Sequence, residues 1–371
     1  MKILTVFGTR PEAIKLFPLL HALRDDPRFE SRVCVTAQHR EMLDQVLAFA
    51  GIVPDHDLGL MRDRQSLDTL NARILVEVGG VLEAERPDWV VVQGDTTTAF
   101  AAALAAHYHR IPVCHVEAGL RSGDLANPWP EEMNRRAIAT FAALHCAPTG
   151  LAADNLVRES IERERIHITG NTVIDALLWA RERVREAPES TRIMRELERR
   201  FEGRRIVRIS AHRRENFGHM REIASAIRRL SQRDDLAIVF PVHRNPAVRD
   251  VMQVELSGLD NVALIDPLDY PNFVRLLDIA HLMLTDSGGV QEEAPALGTP
   301  VLVMRETTER PEAIAAGTAR LVGTDPERIV NEVTRLLDDS ETHAAMASAH
   351  NPYGDGQAAS RICDLLKEAP R

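Results

Sequence analysis

Leu282-Met-Leu-Thr-Asp-Ser-Gly-Gly-Val-Gln-Glu-Glu-Ala-Pro-Ala-Leu-Gly298 reads as a short buried strand, a tight glycine turn and a helix. Ser287, Gly288 and Gly289 stand where the turn becomes the first helical turn. A helix start offers unpaired N–H groups and roughly half a positive charge, which suits a phosphate. Two glycines remove the Cβ atoms that would keep a diphosphate from those groups. Glu292 and Glu293 follow within a turn and a half, and one of them can turn back toward ribose hydroxyls. The plainer explanation is a capped helix, with Ser287 as N-cap and the acids favouring the dipole.

Strand and helix patterns alternate along most of the chain. Lys2-Ile-Leu-Thr-Val-Phe7 is a continuous apolar run, as in a central parallel strand covered on both faces. It ends in Gly8-Thr-Arg-Pro-Glu12, with Pro11 placed to open a helix that carries Pro18 as a kink. Strands are expected at 32–36, 89–92, 113–116 and near His145, with helices at 42–50, 66–85, 97–108 and 131–140. A long helix begins near Asn171, and the densely charged 181–203 reads as a connecting segment with few core positions. A second series follows, with strands at 206–210, 237–240, 262–265, 281–284 and 301–304. Such alternation predicts doubly wound parallel α/β sheets, which bind ligands beyond the C-terminal ends of their strands. The expected architecture is two Rossmann-like domains facing a cleft: 1–168 plus 356–371, and 169–355. The last helix is expected to return to the first domain.

At 371 residues the chain is too long for one ordinary core. A net charge of −10 argues against general nucleic-acid binding, which needs a basic face. No apolar stretch approaches the roughly 20 residues of a membrane span, and the first apolar run is too short for a secretory signal. Cys34, Cys114, Cys146 and Cys363 are scattered, as expected of free thiols in a reducing cytoplasm. His107, His109 and His115 lack metal-site spacing and read as structural or surface residues. No metal is expected.

Polar groups gather at the expected strand ends. Arg10 follows the first strand, Asp95 follows Val90-Val-Val-Gln-Gly94, and Glu117 follows Val113-Cys-His-Val116. Glu131 stands at a helix start after a proline-stiffened loop. Each has a plain structural explanation, Asp95 as an N-cap before its helix being the simplest. Three acids at one rim also suit proton transfer. Ala211-His-Arg-Arg-Glu215 follows the first strand of the second series, where Arg213 and Arg214 either pair with Glu215 or face an anion. Positive groups opposite carboxylates suit a nucleotide-sugar, with its diphosphate on the basic side and its sugar on the acidic side.

Eight motifs then stand in register. They are Gly8-Thr-Arg-Pro-Glu, Gly94-Asp-Thr-Thr-Thr, His115-Val-Glu-Ala-Gly-Leu-Arg, Pro128-Trp-Pro-Glu-Glu, Gly170-Asn-Thr-Val-Ile-Asp, His212-Arg-Arg-Glu, Thr285-Asp-Ser-Gly-Gly-Val-Gln-Glu-Glu and Thr308-Glu-Arg-Pro-Glu. Through them the chain resembles bacterial non-hydrolysing UDP-N-acetylglucosamine 2-epimerases. The resemblance implies a glycosyltransferase-B fold, a homodimer, and interconversion of UDP-GlcNAc and UDP-ManNAc without a redox cofactor. It implies elimination of UDP to a 2-acetamidoglucal and re-addition, with ManNAc units destined for surface polysaccharide. Carried over, Arg10, Lys15, His212, Ser287, Gly288, Gly289, Glu293 and Arg310 hold UDP, and Phe273 and the backbone of Leu268 flank the uracil. Asp95, Glu117 and Glu131 serve the sugar as acids and bases, with His212 near the leaving phosphate. Relatives also bind a second UDP-GlcNAc as activator, for which Gln38, Glu41, Arg64 and His243 are the candidates here. A glycosyltransferase of the same fold, a hydrolysing epimerase and a nucleotide-sugar-binding regulator are the competing readings.

Overall fold

The computed structural model describes residues 1–36, 40–60 and 65–369. The chain forms two compact units, Met1–Ala176 with Tyr353–Arg371, and Leu177–Pro352. In the first, seven strands are found among the described residues: β1 Lys2–Phe7, β2 Glu30–Val35, β3 His56–Asp57, β4 Trp89–Gln93, β5 Val113–Val116, β6 Leu144–Ala147 and β7 Ile166–Ile168. All pair in parallel, in the order β3-β2-β1-β4-β5-β6-β7. The order reverses between β1 and β4, so the turns after Phe7 and Gln93 flank the point where such sheets open a crevice.

Short side chains let this sheet take a close helix. The helix Thr97–Tyr108 buries Ala99, Ala101, Ala102, Ala103, Ala105 and Ala106, and packs with Leu70, Ile74, Val78 and Leu82 of the helix Leu67–Glu85. The first helix, Arg10–Asp25, opens with a complete capping box between Thr9 and Glu12 and runs on through Pro18. The terminal helix Ala358–Glu368 belongs to this unit. Asp175 accepts from the backbone N–H of Ala358 and Ala359 at 3.2 and 2.8 Å, and Lys367 pairs with Asp26 at 3.1 Å.

The second unit holds β8 Arg205–Ser210, β9 Leu236–Pro241, β10 Val262–Ile265, β11 Leu282–Thr285, β12 Val301–Val303 and β13 Ala319–Leu321, again all parallel, ordered β10-β9-β8-β11-β12-β13. Its reversal lies between β8 and β11, so the turns after Ser210 and Thr285 take the equivalent place. The charged 181–203 is not a bare connection. Within it the helix Arg192–Arg200 buries Met194 and Leu197, which pack with Phe201, Val239 and Leu276. Apolar side chains three or four apart put one stripe on the core, and the charges occupy the rest of the helix. No described helix is long and apolar enough to cross a membrane.

Candidate active site

In the first unit the acids at the strand ends are each held by partners of the same unit, and Asp95 feels the charges of Glu117, Lys15 and Glu131. Glu117 directly follows β5 and has φ of 62°, a left-handed conformation that costs a residue with a Cβ roughly 1–3 kcal/mol. Its buried carboxylate is held from several sides. Lys15 Nζ lies 2.7 and 2.5 Å from its two oxygens, Gln93 Nε2 donates to Oε2, and Asn171 Nδ2 reaches Oε1 at 3.5 Å. Lys15 comes from the first helix, so its ammonium neutralises an acid 102 positions away in sequence.

Asp95 does not cap its helix. Thr96 is the N-cap, its hydroxyl accepting from Ala99 N–H at 3.0 Å. The Asp95 carboxylate instead meets Arg135 at 2.7 Å, and its backbone carbonyl accepts from Asn134 Nδ2 at 2.8 Å. Burial pushes the Asp95 carboxyl above its ordinary range, Arg135 pulls it back, and the Glu117 charge raises it again. Glu131 is the first residue of the helix Glu131–Phe141 and is half-buried. Its neighbour Glu132 is fully buried and closes the preceding loop by accepting from Ser122 and Gly123 N–H at 3.0 and 3.3 Å. Beneath the cluster, Glu12 accepts from Gly8 N–H, Thr9 N–H and the Thr96 hydroxyl at 3.1, 2.8 and 2.7 Å, joining the turn that carries Arg10 to the turn that carries Asp95. His115 is structural: burial lowers it to about 4, so it is neutral, and Nε2 donates to the Gly94 carbonyl at 2.7 Å.

In the second unit the keystone is Asp286, fully buried at the end of β11. Its carboxylate accepts from the backbone N–H of His212 and Arg213, each at 2.9 Å, and from Asn216 Nδ2 at 3.1 Å. It also stands 3.4 Å from His212 Nδ1. One side chain thus fixes the turn after β8 against the turn after β11. Burial lowers the His212 pKa, with Asp286 opposing and Arg213 and His243 adding to the fall. The His243 ring stacks on His212 with centroids 6.0 Å apart. Arg213 pairs with Glu309 at 3.6 Å and Glu215 with Arg305 at 2.5 Å, so the Glu215 carboxylate is engaged on Arg305 and Arg213 reaches past it to Glu309.

The Ser-Gly-Gly turn opens the helix Gly288–Glu293, with Ser287 at the N-cap position but without a side-chain capping bond. The glycines are not there for the fold. Neither has a positive φ, and a Cβ on Gly288 would meet nothing nearer than 3.4 Å, one on Gly289 nothing nearer than 3.9 Å. Gly119 is the contrast, since a Cβ there would lie 2.2 Å from the Ala152 carbonyl oxygen. Across the turn, Gln291 Nε2 donates to the Ser287 carbonyl at 3.1 Å, the Thr308 hydroxyl to Gln291 Oε1 at 2.7 Å, and Arg310 N–H to the Thr308 hydroxyl at 3.1 Å. Arg310 Nε pairs with buried Glu292. This network seats Arg310 on the helix that bears the glycines.

Residues 21–367 match the model of a protein family described as UDP-N-acetylglucosamine 2-epimerase. A UDP-N-acetylglucosamine 2-epimerase of Escherichia coli K12 is 56% identical over 99% of this chain and 98% of its own length. The chain belongs to that epimerase family. Among solved structures, the UDP-GlcNAc 2-epimerase of Neisseria meningitidis bound to UDP-GlcNAc superposes with a TM-score of 0.89 at 46% identity, over 100% of both chains. The Methanocaldococcus jannaschii UDP-GlcNAc 2-epimerase in complex with UDP-GlcNAc and UDP gives 0.81 at 33%, again over 100% of both chains. The epimerase neighbours share the glycosyltransferase-B arrangement of two parallel-sheet units expected from the motifs.

Within this epimerase-family chain, the first unit brings Asp95, Glu117 and Lys15 into one cluster and sets Glu131 at a helix start beside it. Lys15, expected on the nucleotide side, lies against Glu117. Arg10 opens the first helix. The second unit gathers His212, Ser287, Gly288 and Arg310 around Asp286 and the glycine turn, with Glu293 at the far end of the short helix. Leu268 and Phe273 lie at the start of the helix Tyr270–Ile279, both half-buried. Gln38 and Arg64 lie outside the described residues, as does the side chain of Glu41. Gln93, Arg135, Asn171, Glu12 and Asp286 join these groups although their residue types alone do not mark them as site residues. The signal for Asp286 was its position directly before Ser287, and the others sit inside or beside the quoted motifs.

Proposed function

We propose that this protein interconverts UDP-N-acetylglucosamine and UDP-N-acetylmannosamine without net hydrolysis. C2 of the sugar has no carbonyl beside it, so removing its proton alone is very hard. The proton leaves C2 to a carboxylate as the C1–O bond to UDP breaks. The C–H electron pair becomes the C1–C2 double bond, and the C1–O pair departs on the β-phosphate of UDP. UDP then re-adds at C1 while a proton returns to the other face of C2. Asp95, Glu117 and Glu131 supply the proton chemistry, and burial of Asp95 beside Glu117 suits a carboxyl that must exist in both states.

The leaving UDP is held by Arg10, Ser287, Gly288, Gly289, Glu293 and Arg310, with His212 at the phosphate and Leu268 and Phe273 at the uracil. Donors fixed before the reaction stabilise the charge that develops on the leaving oxygen. One observation carries the reading. Glu117 is a buried carboxylate at φ of 62°, closed on by Lys15 and Gln93, at the C-terminal end of β5, where parallel sheets of this kind bind their ligands.

Incubation of UDP-GlcNAc in D₂O tests the reaction. Deuterium at C2 of both UDP-sugars supports it, whereas free UDP and ManNAc would indicate hydrolysis and no exchange would indicate a transferase or a binding protein. A cytoplasmic homodimer and activation by a second UDP-GlcNAc belong to the same proposal. Full turnover of pure UDP-ManNAc without added UDP-GlcNAc would end the activation idea, for which His243, stacked on His212, is the described candidate.

A further inference from the structure

The helix Tyr270–Ile279 covers a buried charge that no role so far explains. Arg208, on β8, is 3% exposed, and its guanidinium carbon sits 4.3 Å from the centroid of the Phe273 ring. Nε and Nη1 are buried and have no hydrogen-bond partner. A guanidinium only donates, and leaving buried donors unmet is costly, more so when the group is charged. Burial lowers its pKa to about 10, and the Glu293 charge opposes that fall, so it remains charged at neutral pH. A neighbouring carboxylate also makes the place unwelcoming to a second anion. A neutral acceptor is what the unmet donors call for.

We propose that Arg208 is a nucleoside-binding residue that donates to the 4-carbonyl of the uracil beside Phe273 and so selects uracil over cytosine. The inference rests on the UDP-sugar reading above and deepens it. Phe273 covers one face of the guanidinium, and the N–H groups lie in the guanidinium plane, edge-on to a planar acceptor. Uracil presents a carbonyl at its 4-position where cytosine presents an amino donor, so a donor-only side chain tells them apart. Glu293 holds Arg208 charged and serves the ribose.

The test is calorimetric titration of the full-length protein and its Arg208→Met variant with UDP, CDP and inorganic pyrophosphate. The wild type is expected to prefer UDP to CDP. In the variant UDP binding weakens about tenfold, the UDP-to-CDP preference collapses, and pyrophosphate binding stays within about twofold. The unliganded variant should melt no lower than the wild type, since an unsatisfied buried charge is removed. If UDP, CDP and pyrophosphate keep their wild-type affinities, or all weaken alike, Arg208 does not read the base. A lower melting temperature with unchanged UDP-to-CDP preference would make it a structural strut. Should Arg208→Met fail to fold, Arg208→Lys decides by the same ratio, because it keeps the charge and loses the planar fork. Failure of the wild type to bind UDP would overturn the UDP-sugar reading itself, and this inference with it.

Discussion

On the proposed function, the two units turn the same sheet topology to opposite chemistry. In the first, the turns at the reversal between β1 and β4 carry carboxylates whose partners are cations and amides of the same unit: Lys15 and Gln93 on Glu117, Arg135 on Asp95. In the second, the turns after β8 and β11 carry donors, and the carboxylate buried at the end of β11, Asp286, accepts from backbone N–H groups. An acid that must cycle between proton states needs its charge tuned by neighbours, whereas a phosphate grip needs rigid donors left available. The same reversal of strand order supplies the position in both cases, and the residue types decide what is done there.

The sharpest way to break the contrast is Glu117→Gln, which keeps the shape and removes the charge. Turnover should fall by roughly 10²–10⁴-fold with UDP affinity preserved, measured by kcat and by direct titration. Loss of UDP binding instead would place Glu117 with the grip. Next, Asp286→Asn puts an N–H₂ donor before backbone donors, and should cost about 1–3 kcal/mol of stability in denaturant unfolding together with a raised KM. Unchanged stability would deny Asp286 its place at the centre of the second unit.

Gly288→Ala sharpens the comparison by separating fold from ligand. A Cβ there has room, so the melting temperature should not drop, while UDP should bind about tenfold more weakly. The effect that is smallest at neutral pH, and visible only in acid, concerns β6. Burial holds His145 at about 3, against an ordinary 6.5. The folded chain therefore refuses a proton that the unfolded chain accepts. The stability associated with this residue is complete above 6.5 and is lost as pH falls toward 3. His145→Phe should flatten the acid side of the stability profile by up to about 1.4 kcal/mol per pH unit. An identical slope in wild type and variant would contradict it.

Local pattern made the fold legible. Thr97–Tyr108 and Val113–Val116 have the expected bounds because their apolar periods are unbroken, and the Ser-Gly-Gly turn is the strand-to-helix turn that its residues predict. Segments ruled by tertiary partners were not legible. The helix Arg192–Arg200 hides two core side chains, Met194 and Leu197, under six charges, and the three-residue strands β7 and β13 are too short for a period to show. In Gly94-Asp-Thr-Thr-Thr98 four successive residues can all cap a helix, and only the backbone conformation chooses Thr96, which releases Asp95 for other work. The motifs named Lys15 and Glu117, but their contact spans 102 positions and no local signal joins them.

On the proposed mechanism UDP leaves while the carboxylates of the first unit move the C2 proton. UDP-GlcNAc carrying ¹⁸O in the bridge between C1 and the β-phosphate reports which bond breaks. If the C1–O bond breaks reversibly, the label should scramble into the non-bridging β-phosphate positions of recovered substrate, alongside epimerisation and without accumulating free sugar. Epimerisation with C2 deuterium exchange but with the label fixed in the bridge would contradict the account.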